Sequence, residues 1–386
     1  MRLFGRVLDR IGVGSIRLET ARGLVREFEG HEPGPAVNAR INRNRVAWRF
    51  LRGGDTGLLE SYMDGDWDTD DLADFLTWGA MNEEAFGEVL NGLRYARVFR
   101  GILHALNRNS RAGSRRNIAR HYDLGNDFYA LWLDPTMTYS SGIFATSDAT
   151  LEQAQIEKYR RMLARLDLRS DHHLLEIGSG WGGFALYAAQ QTGCRVTSIT
   201  LSKEQLDEAR RRAQVAGLAD RVRFEYRDYR DVDQTYDRVV SIEMFEAVGE
   251  EFWPVYFKTL HDRLVPGGRA ALQVITIDDD CFEDYRRGVD FIQRYIFPGG
   301  MLPSPKVFES HVEGAGLRTV NRDFFGQDYA ETLAYWDRNV TQVSDRLIEM
   351  GYDMRFQRMW HAYLAYCQAG FRLGRIDVMQ TALIKS

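Results

Sequence analysis

From about residue 150 the chain alternates short apolar strands with helices, and no other feature narrows its fold so much. HHLLEIG, CRVTSIT, RVRFEYRD, YDRVVSIE and GRAALQVIT carry the branched and aromatic residues that suit a pleated, buried strand. Between them, GGFALYAAQQ, KEQLDEARRRAQVAG and VYFKTLHDRL place apolar residues at helical spacing, and EQAQIEKYRRMLARL leads in as a further helix. Strands joined through helices require right-handed crossovers, which lay the strands parallel and put helices on both faces. The prediction is an α/β chain with a doubly wound sheet.

Residues before this region read differently. SIRLET, GLVREFEG, EPGPAVNARI and VAWRFLRGG are short stretches divided by Gly-Pro and Gly-Gly, which suggests a small strand meander. Residues 70 to 107 have helical spacing. NRNSRAGSRRN is the best boundary between a smaller α+β domain, 1–110, and the doubly wound domain, 111–386. Between Arg94 and Arg120 stand eight arginines and no acid, although the whole chain has a net charge of −5. Such segregation fits either a solvated helix face or a basic surface facing anionic headgroups, worth roughly 1 kcal/mol per arginine at a membrane. The negative net charge argues against general nucleic-acid binding. The first residues hold no apolar run long enough for a secretory signal or a span, so any membrane contact is expected to be peripheral. Cys194, Cys281 and Cys367 are far apart and fit a reducing, cytoplasmic setting. Neither the adjacent His172 and His173 nor Asp278–Asp280 has metal-ligand spacing, so the histidines read as a surface turn and no metal is expected.

HLLEIGSGWGGFALYAA sets a glycine-rich turn between a strand and a helix. Gly178 and Gly180 let the backbone approach a ligand, and the helix start offers free N–H groups. Glu176 stands two residues before the first glycine, giving E-x-G-x-G-x-G, a form that resembles motif I of the class I methyltransferases. The next strand ends at Thr200 without the acid that a dinucleotide-binding domain uses to hold ribose.

HYDLGNDFYALWLDPTMTYSSGIF, from His121 to Phe144, makes the resemblance specific. Together with LEIGSGWGG, ITLSKEQ, DYRD, SIEMFEAVG, RYIFPGGMLPS, FFGQDYAETLAYW and MRFQRMWHAYLAYCQAGFR, it resembles the cyclopropane fatty acid synthase and mycolic acid cyclopropane synthase family in order and spacing. ESYMDGDWDTDDLADF extends the likeness into the smaller domain. The resemblance implies a Rossmann-like methyltransferase domain, S-adenosylmethionine as cofactor and a cis-unsaturated phospholipid acyl chain as substrate. It carries cofactor contacts to Tyr139, Ser140, Glu176, Gly178, Gly180, Thr200, Leu201, Gln205, Tyr229 and Arg230. It also makes residues 278 to 310 an insertion covering the substrate channel and implies a peripheral protein on the inner face of the membrane; the sequence leaves the oligomeric state open, with a homodimer among the options.

An isolated alkene needs a strong methyl electrophile, and attack on it leaves a carbocation that must be kept from water and then lose a proton. Aromatic faces suit such a cation, by roughly 0.5–2 kcal/mol each. Phe245, Phe252, Trp253, Tyr285, Phe291, Tyr295, Phe297, Tyr329 and Trp336 are the candidates, with Tyr329 favoured by its motif. In the resembled family a bound bicarbonate takes the proton, and the matching positions here are Ser141, Glu246, Gln273, Ile275 and Tyr329. Three positions depart from the family pattern: Ser141 stands for its cysteine, Gln273 for its histidine, and Ala247 for the histidine of MFEHVG. Ser and Gln side chains can still hydrogen-bond an oxyanion. Without ring closure the same cation gives a methylated alkene or a methylene branch. Other readings are a small-molecule methyltransferase, a non-catalytic lipid-binding protein, and an acyl-chain redox enzyme on the same core.

Overall fold

The computed structural model describes residues 7–90 and 124–385. The small N-terminal unit holds β1 (Val13–Glu19), β2 (Val25–Glu29), β3 (Glu32–Ile41) and β4 (Trp67–Asp68), in the order β2–β1–β3–β4. It is not a simple meander: β2 is antiparallel to β1, but β3 returns to the other side of β1 and runs parallel to it. Burial explains the choice. β2 has no buried residue and stays at the edge, whereas the register Ile16 with Val37 and Leu18 with Ala39 puts four buried side chains on one face.

VAWRFLRGG is the second correction, for it begins the helix Arg45–Met63. Val46 and Phe50 are buried at four-residue spacing, and the glycine pair kinks the helix at Gly54 (φ 57°) without ending it. Gly57 is required there, because a Cβ would lie 2.2 Å from the carbonyl oxygen of Arg49. The helix expected over 70 to 107 is broken at Asn82, between Leu72–Met81 and Glu83–Leu90. The Asn82 side chain turns back to accept from the N–H groups of Gly12 (2.8 Å) and Val13 (3.0 Å). The arginine-rich stretch from Arg94 to Arg120 lies outside the described residues.

The five predicted strands become β5 (His173–Ile177), β6 (Arg195–Thr200), β7 (Val222–Tyr226), β8 (Tyr236–Ile242) and β9 (Leu264–Ile277). With β10 (Leu317–Phe324) and β11 (Ile376–Lys385) they form one sheet in the order β10–β11–β9–β8–β5–β6–β7. β5 to β9 pair in parallel and β11 is antiparallel to both neighbours. One face packs on Leu151–Leu166, Gly183–Thr192 and Lys203–Val215, the other on Trp253–Arg263 and Pro305–Gly314. This is the doubly wound arrangement expected. His172 corrects a smaller expectation: it is buried, with Nδ1 accepting from Arg169 N at 3.2 Å, and His173 pairs with Thr197 Oγ1 at 2.9 Å. Asp278 caps the helix Asp279–Tyr285 through the N–H of Asp280.

The helix Met354–Arg372 ties the two units together. Arg355 meets Asp64 (2.9 Å), Arg358 meets Asp68 (2.7 Å) and Arg372 meets Asp74 (2.6 Å). Beside them Asp66, fully buried, is held by Arg45 at 2.7 Å. Among the described residues no helix is long and apolar enough to cross a membrane.

Candidate active site

The turn after β5 has Gly178 at φ 96° and Gly180 at φ 48°, both in the left-handed region that glycine tolerates. A Cβ on Gly178 would lie 3.1 Å from Met244, whereas one on Gly180 would meet no atom within 4 Å. The hydroxyl of Ser179 is buried with no hydrogen-bond partner. A cradle with open space over one glycine and an unused polar atom fits a bound S-adenosyl group. Glu176 is buried behind the turn and takes a hydrogen bond from Ser198 on β6; burial pushes its carboxyl up to about 8.

At the end of β6, Thr200 Oγ1 donates to Gln205 Oε1 (3.0 Å) and accepts from Ser202 N (3.1 Å), with Leu201 half-buried between them. Beyond β7, Tyr229 is buried with its hydroxyl unpartnered. Arg230 is committed to the buried Asp228 at 2.7 Å. Both oxygens of Asp228 receive Arg230, so the two side chains of RDYRD brace this strand end.

The predicted proton-abstraction residues converge, but on a group that the sequence reading did not name. Glu243 follows β8 with φ 47°, uncommon for a residue with a side chain, and it faces the cavity described below. Its Oε1 accepts from the backbone N of Ser141 (2.9 Å) and from Gln273 Nε2 (2.7 Å), and Tyr329 hydrogen-bonds the same carboxylate. The Ser141 hydroxyl is turned to Gly142 O (2.9 Å), so the backbone of Ser141, not its side chain, serves the anion. Gln273 is oriented from behind: its Oε1 accepts from Gln380 Nε2 (2.9 Å), and Gln380 Oε1 accepts from Arg165 (3.2 Å). Ser141 and Gln273 are fully buried, and Glu243 stands between them and the cavity.

Glu246 lies one turn on. Its Oε1 accepts from Ile275 N (2.5 Å) and its Oε2 is buried without a partner. Burial, with Glu243 nearby, pushes Glu246 up to about 8, so it holds a proton near neutrality. Burial also pushes Glu243 up, but the Lys158 ammonium opposes that shift. Lys158 is fully buried, donating to Ser140 Oγ (2.6 Å) and Gln155 Oε1 (2.5 Å). Burial pushes the Lys158 ammonium down to about 7 as it pushes Glu243 up, and the attraction between the two opposes both shifts.

Both carboxyls face a cavity of about 1160 Å³. Of the aromatics expected there, Tyr285, Phe297 and Tyr329 line it. Phe245 and Trp253 instead stack in the core under the sheet, 5.4 Å apart. Tyr139, Tyr363, Tyr366 and Phe371 line it unexpectedly, with Tyr139 and Tyr363 joined by their hydroxyls at 2.8 Å. The stretch 278–310 contributes Tyr285, Asp290, Ile292 and Met301 to the wall.

The family model described as mycolic acid cyclopropane synthetase matches residues 109–381. Tuberculostearic acid methyltransferase UfaA1 of Mycobacterium tuberculosis is 42% identical over 350 residues, 88% of this chain and 81% of that protein. Cyclopropane-fatty-acyl-phospholipid synthase of Escherichia coli is 35% identical over 89% of this chain and 87% of its own. Among solved structures, mycolic acid cyclopropane synthase CmaA1 complexed with SAH and CTAB has a TM-score of 0.67 and 31% identity, covering 70% of this chain and 98% of its own. With a doubly wound sheet, a glycine cradle and paired carboxyls facing a lipid-sized cavity, the chain belongs to the mycolic acid cyclopropane synthetase family of S-adenosylmethionine-dependent methyltransferases.

Proposed function

We propose that the protein adds a methyl group to the double bond of an unsaturated acyl chain in membrane phospholipid, and that Glu243 itself removes the proton that follows. Bound in the glycine cradle, S-adenosylmethionine supplies an electrophilic methyl group. One alkene carbon would form a bond to that methyl as the methyl–sulfur bond breaks and S-adenosylhomocysteine leaves, and the other alkene carbon would become the cation. Tyr329, Tyr139 and Phe297 turn aromatic surface to the cavity and exclude water from it. After a hydride shift moves the cation to the methylated carbon, Glu243 takes a proton from an adjoining carbon, and the electrons of that C–H bond become an alkene at the branch; proton loss from the new methyl before that shift would close a ring instead. Proton removal by a positioned base contributes roughly 10²–10⁴-fold.

One observation carries this reading. The Glu243 carboxylate receives Ser141 N, Gln273 Nε2 and Tyr329, three of the positions that the family resemblance gives to bicarbonate. A base built into the chain leaves no need for a dissolved one. The 42% identity to a tuberculostearic acid methyltransferase supports a methyl- or methylene-branched product over a ring. The cofactor contacts proposed are Gly178, Ser179, Gly180, Thr200, Leu201 and Gln205, with Tyr139 and Ser140 closing the methyl side. We place the protein peripherally on the inner face of the membrane, with its basic segment toward anionic lipid.

The test supplies S-adenosylmethionine with a trideuterated methyl and vesicles of monounsaturated phospholipid, followed by mass spectrometry of the acyl chains before and after ozonolysis. A labelled chain that ozone cleaves at a branched alkene is expected. A labelled chain that survives ozone is a cyclopropane and overturns the branched product. No label in any lipid overturns the transferase reading.

A further inference from the structure

The cavity does not end within the catalytic unit. Its lining continues past Phe371 and Tyr366 into the small N-terminal unit, where Leu8, Ile16, Leu18, Ala39, Ile41 and Val46 face it, each at most 7% exposed. Four of these come from β1 and β3 at every second position, so one whole face of the small sheet is turned to the cavity. On the opposite face the same strands carry Arg17, Asn38 and Arg40. Trp67, Phe75 and Trp78 complete this end, and none of these residues bears a charge. Charged lining residues occur elsewhere: Arg52, Asp55, Glu83 and Arg375 are exposed, Glu83 and Arg375 are paired at 2.5 Å, and Asp290 stands with Glu243 and Glu246 in the wall contributed by the catalytic unit. The cavity thus has a catalytic middle, a charged rim and an apolar, buried end.

We infer that this apolar end, between the small sheet and the helices Arg45–Met63 and Leu72–Met81, receives the methyl-terminal segment of the acyl chain and so measures how far the double bond lies from the chain end. The inference rests on the acyl-chain reading above. The chemistry assigns the orientation. Beyond its double bond an acyl chain is pure hydrocarbon and gains by losing all contact with water, whereas its carboxyl side must stay joined to a polar glycerol and headgroup. Only the rim offers groups for the latter. Ala39 is the position that sets the depth, since it is the smallest of the residues on the sheet face and sits directly beside Leu18. The small unit lies outside residues 109–381, so the shared catalytic part does not by itself fix the length of the site.

Two experiments test this with the full chain. The first needs no turnover: a phospholipid whose acyl chain ends in a diazirine is photolysed with the protein, and the labelled peptides are sequenced. Crosslinks within β1 and β3 are expected. Crosslinks confined to the catalytic unit or the charged rim overturn the inference. The second compares wild type with Ala39→Phe and Leu18→Val on monounsaturated phospholipids that share the carboxyl-side length and differ beyond the double bond. Ala39→Phe should lower transfer to the longest distal segments by about tenfold or more, the order that one methylene commands in an apolar pocket, and leave the shortest unchanged. Leu18→Val, which only removes volume, should move the preference toward longer segments. An unchanged profile in folded, cofactor-binding variants overturns the inference, and so does a profile that follows carboxyl-side length. Crosslinks in β1 and β3 without any methyl transfer would uphold this site and count against the proposed reaction alone.

Discussion

Replacing Glu243 by glutamine separates the base from everything else that the side chain does. Ser141 N and Gln273 Nε2 both donate to a single oxygen, Oε1, and a glutamine carbonyl in that place accepts the same two bonds. The amide nitrogen then occupies the other oxygen's position at similar size, and the buried Lys158, losing the opposing charge, should release its proton, so thermal melting is measured beside activity. What disappears is the capacity to take a proton. If that step is worth roughly 10²–10⁴-fold, the barrier rises by about 3–5 kcal/mol. The assay is single-turnover transfer of a deuterated methyl to phospholipid, with cofactor affinity measured separately by calorimetry. Transfer should fall by at least about a hundredfold, cofactor affinity should stay within about threefold, and added bicarbonate should restore nothing. A variant that retains a tenth of wild-type activity refutes the assignment. So does a wild-type rate that falls when dissolved bicarbonate is removed.

Further tests reach the surroundings of that carboxylate. Gln273→Leu removes a donor to a charged acceptor at equal bulk, which is worth about 1.5–3 kcal/mol, and should cut turnover roughly ten- to hundredfold with the cofactor affinity intact; unchanged turnover would show that the bond is idle. Gly180→Val puts a branched side chain at φ 48° and into the open cradle, and calorimetry should show cofactor binding lost while circular dichroism shows the fold kept. Glu246 bears on stability against pH. Its folded carboxyl titrates near 8 against an ordinary 4.5, so between those values the folded state holds a proton that the unfolded chain has released. Stability therefore falls as pH rises through that window, by up to about 1.4 kcal/mol per pH unit from this group. Glu246→Gln should make the melting temperature fall less steeply across it, with the slopes from Glu176, Asp290 and Lys158 remaining; a slope equal to wild type would count against the burial argument.

Much of the large unit was legible because its strands are buried on both faces, and such strands announce themselves as apolar runs whatever surrounds them. The small unit was less so. Gly53 and Gly54 look like the end of an element, yet Val46, Phe50 and Leu59 continue a helix through them because its inner side is packed. The active carboxylate was missed for a different reason. SIEMFEAVG offers two acids and both face the cavity; which one gathers the donors from Ser141 and Gln273 depends on the left-handed backbone at Glu243, and that belongs to the tertiary structure. Lys158 was equally hidden, since one lysine in EQAQIEKYRRMLARL reads as solvent-facing until its partners Ser140 and Gln155 are seen. The aromatic wall was only partly anticipated, for Tyr363 and Tyr366 sit on the helix Met354–Arg372, far along the chain from any cofactor motif.

The cavity can also be regarded as core that the polypeptide does not fill. Packed interiors tolerate few voids, and the side chains around this one, from Ile16 and Ala39 to Tyr329 and Phe371, forgo contacts that a hydrocarbon would supply. An acyl chain is then a missing piece of the interior as well as a reactant, each buried methylene contributing about 0.8 kcal/mol. Because that piece touches both units, lipid and the arginine–aspartate clamp cooperate: whatever binds the folded form stabilises it, by about 2.7 kcal/mol at a hundredfold excess over Kd. The protein should therefore melt higher, and its two units should come apart later, wherever unsaturated lipid is plentiful, so that the membrane it modifies also sustains it.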